Sequence, residues 1–94
     1  MISIEEKVTE LVNKWDPIGF FPMAPKDEYD GEIRKICEYI FNNTHIEATL
    51  LANYINDTFI QSFGKDIYKE DMKECKIISG EILFYYEKNI KNGK

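Results

Sequence analysis

The chain has 94 residues, of which 44% are hydrophobic and 31% are charged, and its formal net charge is −5. This length fits one domain with a small core, and the composition is that of a folded globule rather than a disordered tail. The acidic balance disfavours nucleic acid and anionic membrane as partners, because both attract basic surfaces. The sequence has no apolar run of membrane-spanning length and opens with acids where a secretion signal is basic, so we expect a cytoplasmic protein.

The first predicted element is a helix over residues 4–15. Ser3 and Glu6 have the spacing of a capping box, in which each side chain binds a free backbone amide. Apolar residues then recur at helical spacing as far as Trp15. Pro17 disfavours helical geometry at the residue before it, so we expect the helix to stop at Asp16.

A loop that contains all three prolines of the chain is predicted next. Prolines keep this segment from being a helix or a central strand, yet it is rich in apolar side chains. Residues 16–32 carry five acids and one lysine. The prolines are Pro17, Pro22 and Pro25, and the apolar residues are Ile18, Phe20, Phe21, Met23 and Ala24.

Three further helices are predicted, over residues 28–42, 45–63 and 66–89. Asp27 or Asp30 is a suitable cap for the second helix. Residues 44–47 repeat the capping-box pattern before the third helix, and Gly64 has the position of a C-terminal glycine. No segment shows the alternation of apolar and polar residues that is typical of a strand. The prediction is therefore an all-α, compact, bundle-like single domain of four helices over residues 1–94, with one long proline-containing loop between helices 1 and 2.

The sequence contains no recognisable catalytic, cofactor or metal motif. Cys37 and Cys75 lie among helical apolar residues, so they are interpreted as buried thiols. An EF-hand loop with Gly31 at its sixth position would put Lys26 and Cys37 where oxygen ligands are needed. His45 is the only histidine and has no nucleophile motif beside it. We therefore expect no enzyme, no cofactor and no metal, while a loose hard-cation site at the acidic cluster stays an alternative.

The apolar loop supports two interpretations that can coexist. In the structural one, its aromatic residues close one end of a small core, Asp16 accepts amides in the turn, and Tyr29 bonds across the loop above Trp15. In the functional one, part of the loop stays exposed inside an acidic rim, which is the usual anatomy of a protein-binding patch. The candidate protein-binding residues are Phe20, Phe21, Met23, Asp27, Glu28 and Asp30.

Two short motifs of this region resemble a known pattern. The residues Trp15-Asp16-Pro17-Ile18-Gly19, followed by Asp27-Glu28-Tyr29-Asp30, resemble the YugE-like family of small all-helical bacterial proteins. That family has no assigned function, so the resemblance implies a fold and no catalytic residue. Similar motifs also occur in small proteins associated with toxin immunity, which implies that the acids of the second motif face a basic toxin surface.

The function predicted from the sequence is protein binding by a small interaction or inhibitor module, immunity-like, with a basic protein as its partner. The loop over residues 16–32 would form the contact surface, and Trp15, Asp16, Pro17 and Tyr29 its structural motif. One alternative is self-association as a homodimer without a separate ligand. A second alternative is a small carboxylate-based enzyme or metal-binding protein, in which acids converge in a pocket with Tyr29 or His45.

Overall fold

The structure, a computed structural model, describes residues 2–43 and 45–91 and is all-α. The helices are α1 (Ile4–Trp15), α2 (Asp30–Phe41), α3 (Ala48–Ile67) and α4 (Met72–Tyr86), and α4 continues into a π-helical turn, Glu87–Lys91. The described residues contain no strand. The predicted four-helix all-α fold with one long loop between α1 and α2 is confirmed.

Helix α1 has the bounds that its sequence predicts. Ser3 Oγ accepts the Glu6 amide and Glu6 Oε1 accepts the Ser3 amide, each at 3.0 Å, so both halves of the capping box are present. At the other end Asp16 has φ 48° and ψ 61°, a left-handed conformation that stops the helix. Its backbone N–H still donates to the Val12 carbonyl at 2.8 Å, which completes the last turn.

Helix α2 begins at Asp30, at the end of the range predicted for its start and without the predicted cap, and α3 begins later than predicted. The residue before α2 is Tyr29, and neither Asp27 nor Asp30 caps the helix with its side chain. Instead the Asp30 amide donates to the Asp27 carbonyl at 3.1 Å, within a turn that precedes the helix. Helix α3 begins at Ala48 rather than at residue 45, and Glu47 gives it no side-chain cap. Thr44, the first residue of the predicted capping box, lies outside the described residues.

The prediction that helix 4 begins near Asp66 is wrong. Gly64 leaves helical geometry with φ 79° and ψ 158°, as expected of a C-terminal glycine, but one further turn follows it to Ile67. The cap of α4 is Asp71, whose carboxylate accepts the Glu74 amide at 3.1 Å. Residues 68–71 therefore form a separate connection between α3 and α4.

The core lies where the four helices meet. Helix α1 packs against α2, α2 against α3, α3 against α4, and α4 closes on α1. Both cysteines are buried and free. Each large side chain buried in this way contributes roughly 1.5–3 kcal/mol to folding. The largest fully buried hydrophobic side chains are Tyr29, Tyr68, Phe59, Ile36, Ile40, Leu51, Ile55 and Ile82.

None of the helices in the described ranges has both the length and the apolar character that crossing a membrane requires.

Candidate functional site

Asp16 is the hydrogen-bonding centre of the α1–α2 loop, which we define as residues 16–29. Its Oδ1 accepts the Phe20 amide at 2.9 Å and its Oδ2 accepts the Phe21 amide at 3.1 Å. The Tyr29 hydroxyl also donates to Oδ1, at 2.7 Å. One carboxylate therefore ties the helix end, the middle of the loop and the residue before α2 together.

Tyr29 supports the loop from inside the protein. It is fully buried, and its hydroxyl oxygen accepts the Ile18 amide at 3.0 Å while the hydroxyl donates to Asp16. Both hydrogen-bonding roles of the phenol are thus used within the loop. The motif residues Asp16 and Tyr29 make the contacts that the structural interpretation of the sequence predicts.

This arrangement holds Asp16 in its charged form. Partial burial alone would raise the pKa of Asp16, but hydrogen bonds from Tyr29 and from the amides of Phe21, Phe20 and Gly19 outweigh it, so the pKa lies below the ordinary 3.8. Burial raises the pKa of Tyr29 well above its ordinary value, and the hydrogen bond to Asp16 raises it further. The pair is therefore a neutral phenol donating to a carboxylate, which is a strong form of hydrogen bond.

Trp15 anchors the start of the loop to α3 and to the α3–α4 connection. Its ring lies edge-on to Phe59, with centroids 5.3 Å apart, and to Tyr68, with centroids 6.2 Å apart. It is half-buried. Edge-to-face pairs of this kind contribute about 0.5–1.5 kcal/mol beyond the area they bury.

Phe20 and Phe21 form the inner layer of the loop. The Phe20 ring lies 5.4 Å from Tyr29 and 5.9 Å from Phe63, and the Phe21 ring lies 5.8 Å from Tyr29. Both are half-buried and pack against the core. The sequence left open whether they are outside or inside, and their larger part faces inward.

Met23 is 93% exposed, whereas Ile18, Phe20, Phe21 and Ala24 of the same loop are half-buried. Pro22 and Pro25 beside it are exposed as well. The acids that follow, Asp27, Glu28 and Asp30, are all exposed. Of the predicted protein-binding residues, these three acids and Met23 therefore face solvent.

The exposed part of the loop is itself held in place. The Gly19 amide donates to the Asp16 carbonyl at 3.1 Å, with Gly19 at φ 82°, and the Ala24 amide donates to the Phe20 carbonyl at 2.9 Å. The Asn13 side chain of α1 donates to the Lys26 carbonyl at 3.3 Å. The Phe21–Pro22 peptide bond is cis.

A cleft of about 460 Å³ opens between this loop and α1. Its walls are mainly apolar, and two lysines are among the residues that line it. We call it the proline cleft. It is lined by Asn13, Lys14, Phe21, Pro22, Ala24, Pro25 and Lys26.

A second buried polar network, which the sequence analysis missed, fixes the α3–α4 connection. The Tyr68 hydroxyl donates to Asn56 Oδ1 at 2.7 Å and lies 3.5 Å from the Cys75 sulfur. The Asn56 amide in turn donates to Glu70 at 2.9 Å. Burial raises the pKa of Tyr68, and it also raises the pKa of the Cys75 thiol. The spacing of Asp71 and Glu74, a helix-start signal, could have exposed this connection.

In the described residues, Tyr29 and His45 do not line the surface groove in which acids of α1 and α2 gather. The Tyr29 hydroxyl is buried and bonded to Asp16, and His45 is exposed. A surface groove between α1 and α2 has Glu5, Glu6 and Asp30 in its lining, but neither Tyr29 nor His45. Within residues 2–43 and 45–91, no group of three His, Cys, Asp or Glu side chains could hold a metal ion.

Comparison with known proteins gives a family without an assigned activity. The family model described as a domain of unknown function, DUF1871, matches residues 7–91. Neither the curated proteins nor the solved structures contain a match to this chain. Because the family model covers residues 7–91, well over half of the chain, the chain belongs to the DUF1871 family.

Proposed function

We propose that the protein is a small protein-binding module, of the interaction or inhibitor kind, that acts in the bacterial cytoplasm. Its contact surface is the outer side of the α1–α2 loop, with Met23 at the centre and Asp27, Glu28 and Asp30 at the rim. The acidic rim suits a basic protein as the partner, since complementary charge speeds encounter and selects partners.

The observation that carries this proposal is the contrast between the inside and the outside of the loop. Inside, Asp16 and Tyr29 fix the backbone with four hydrogen bonds of 2.7–3.1 Å. Outside, Met23 is 93% exposed and contributes nothing to the core. A loop that is fixed by hydrogen bonds and presents an apolar side chain to solvent loses little conformational entropy when it binds a partner, which favours affinity.

The proposed surface is narrower than the one predicted from the sequence. Phe20 and Phe21 pack on Tyr29, so we assign them to the support of the surface rather than to the surface itself. Met23 is flexible and polarisable, and methionine is common at binding surfaces that adapt to a partner. Binding is therefore tested by substitutions of Met23 and of the three acidic residues Asp27, Glu28 and Asp30.

The resemblance to toxin-immunity proteins agrees with this proposal, whereas the YugE-like resemblance implies only the fold. Immunity proteins act by binding, and the acids of the second motif, Asp27, Glu28 and Asp30, belong to the rim described above. The family match itself names no activity. The resemblance thus suggests the kind of partner, a basic toxin-like protein, and the loop supplies the surface.

Site-specific cross-linking tests the proposal. Because Cys37 and Cys75 are buried, a Met23→Cys variant gains an exposed thiol that can be labelled selectively with a benzophenone maleimide. Phe84→Cys is the matched control, since Phe84 is 68% exposed and lies beside Lys7, near the start of α1, whereas the loop follows the end of α1. The labelled proteins are irradiated in a bacterial lysate, and the adducts are identified by mass spectrometry.

We expect a basic protein to be captured from position 23 and not from position 84. Its capture should fall when Asp27, Glu28 and Asp30 are replaced by Asn, Gln and Asn, because the rim loses its charge. The same set of captured proteins from both positions, or capture that ignores the rim, would show that this loop is not the binding surface.

Self-association is the second candidate function, and an apolar groove on α4 favours it. Ile77 is 45% exposed and Phe84 is 68% exposed, and both line a groove of about 480 Å³ with Gly80 between them. Light scattering over a concentration series tests this candidate. A dimer that becomes a monomer on Phe84→Asp would support it, and a monomer at every concentration would remove it.

A further inference from the structure

The proline cleft has a chemistry opposite to that of the acidic rim. Phe21, Pro22 and Pro25 give it apolar walls, while Lys14 and Lys26 stand at its edge. Both lysines are exposed, and neither forms an ion pair in the described part of the chain. A protein with a net charge of −5 thus keeps two free cations beside an apolar cleft.

The walls of the cleft are fixed before any ligand arrives. Phe21 is held through its amide by Asp16 and through its ring by Tyr29. The backbone at Lys26 is held by the Asn13 side chain, at 3.3 Å. Preformed clefts of about 300–1,000 Å³ with apolar walls and a few polar groups are typical ligand sites, and this cleft of about 460 Å³ falls in that range.

Asn13 adds an unused acceptor to the lining. Its amide nitrogen donates to the Lys26 carbonyl, which fixes the orientation of the side chain. Its Oδ1 is buried and accepts no hydrogen bond. Buried polar atoms are normally paired, so this oxygen of a cleft-lining residue is an exception.

We propose that the proline cleft binds the C-terminal residue of the partner polypeptide when that residue is apolar. The apolar side chain would lie against Phe21, Pro22 and Pro25, and the terminal carboxylate would lie between Lys14 and Lys26. This inference rests on the proposed function, since Pro22 and Ala24, the chain neighbours of Met23, line the cleft, which would take an end of the same partner. A terminal residue combines an apolar group and an anion in one compact unit, as the cleft requires.

Two peptides that differ in one group test the need for the anion. The probes are acetyl-glycyl-glycyl-phenylalanine with a free carboxylate and the same peptide as its C-terminal amide. Each is titrated into the full-length, isotope-labelled protein, and backbone amide shifts are followed by NMR. We expect the acid to shift the amides of Lys14, Phe21, Ala24 and Lys26 and to bind at least about tenfold more tightly than the amide. Added salt should weaken binding of the free-acid peptide and not of the amidated peptide, because salt screens exposed charges.

Charge-removing variants show whether these lysines are responsible. The Lys14→Met/Lys26→Met double variant should bind the free-acid peptide no more tightly than the amidated peptide. Its affinity for the amidated peptide should equal that of the wild type. Lys65→Met with Lys69→Met is the matched control, since these lysines are exposed and do not line the cleft. All four positions are at the surface, so both double variants should keep the circular dichroism spectrum of the wild type.

The inference would be overturned by equal affinity for acid and amide, by shifts that map elsewhere, or by an acid affinity that the Lys14 and Lys26 variants leave unchanged. A third peptide with an internal glutamate after phenylalanine and an amidated end is the last arm. If it binds as tightly as the free acid, the cleft does not select a C-terminus and the assignment fails. Cross-linking from position 23 could still succeed in that case, so the two proposals fail separately.

Discussion

Two buried tyrosines each stabilise one connection between helices, Tyr29 the long α1–α2 loop and Tyr68 the short α3–α4 connection. The hydroxyl groups of the two tyrosines donate to acceptors of different kinds. Tyr29 and Tyr68 are both fully buried, and each ring packs on Phe59, at 5.7 and 5.5 Å. The hydroxyl of Tyr29 donates to the Asp16 carboxylate, whereas the hydroxyl of Tyr68 donates to the Asn56 amide oxygen.

The difference matches what each connection has to do. Residues 68–71 cross between neighbouring helices in four residues, and Asn56 fixes their course by accepting from the Tyr68 hydroxyl and donating to the Glu70 carboxylate. Residues 16–29 form a much longer connection, and a single carboxylate with several acceptor sites gathers its amides around one point. The centre of the long loop is therefore the charged carboxylate of Asp16, whereas the centre of the short connection is the neutral amide of Asn56.

The largest effect is expected from Asp16→Asn. Asn keeps the size of Asp and tolerates the left-handed conformation at φ 48°, but its amide group cannot accept from Phe20, Phe21 and Tyr29 together. With at least one buried donor left unpaired and the charge lost, we expect unfolding to become easier by about 2–3 kcal/mol. Urea denaturation measures the change, and a loss below 0.5 kcal/mol would remove Asp16 as the centre of the loop.

Comparing Tyr29→Phe with Tyr68→Phe sharpens the contrast. Tyr29→Phe leaves both the Ile18 amide and a charged acceptor without their partner, so we expect a loss of about 2 kcal/mol. Tyr68→Phe leaves a neutral amide oxygen unpaired, with an expected loss of about 1 kcal/mol. The two variants are matched, because each removes one hydroxyl from a fully buried ring. The reverse order in denaturation would break the comparison.

Acid should separate the two regions further. The folded pKa of Asp16 lies below its ordinary 3.8, so its contribution is complete above that pH and is lost as the pH falls through the folded pKa. The stability difference between wild type and Asp16→Asn should therefore shrink when the pH is lowered from 6 to below about 3. The acceptor of Tyr68 does not titrate, so the difference for Tyr68→Phe should change less. Equal changes for both variants would contradict this account.

The smallest effect is expected from Met23→Asp. The side chain is 93% exposed and lies outside the core, so stability should stay within about 0.5 kcal/mol of the wild type. Phe21→Asp is the informative partner variant, because its ring packs on Tyr29 and its loss should destabilise the protein by more than 1 kcal/mol. A Met23→Asp variant that thermal denaturation shows to be as strongly destabilised as Phe21→Asp would show that Met23 is part of the folded core.

The sequence predicts the fold class and α1 well, because capping residues and helical periodicity are local signals. The roles of Asp16 and Tyr29 also follow from local chemistry, since a residue before Pro17 ends the helix and a carboxylate there can collect nearby amides. The start of α4 at Met72 could not be placed from periodicity, since apolar residues continue through Ile67 and Tyr68.

The burial of loop residues depends on distant partners and so escapes sequence reasoning. Phe20 faces inward because Phe63 of α3 lies 5.9 Å from its ring, and no local pattern links residues 20 and 63. The same holds for Tyr68, whose acceptor Asn56 is on α3. The proline cleft likewise combines residues of α1 and of the loop, and the Asn13 side chain of α1 donates to the Lys26 carbonyl of the loop.

Hydrogen exchange at the amides of Phe20 and Phe21 tests the central claim most directly, namely that Asp16 holds the loop in the shape that presents Met23. In the wild type we expect both amides to be protected, because each donates to the Asp16 carboxylate. In Asp16→Asn they should exchange at least about tenfold faster, which corresponds to a decrease of about 1.4 kcal/mol in the free energy of local opening. The amides of α4 should exchange faster only as far as global unfolding becomes easier. Unchanged protection of Phe20 and Phe21 in the variant would contradict the account.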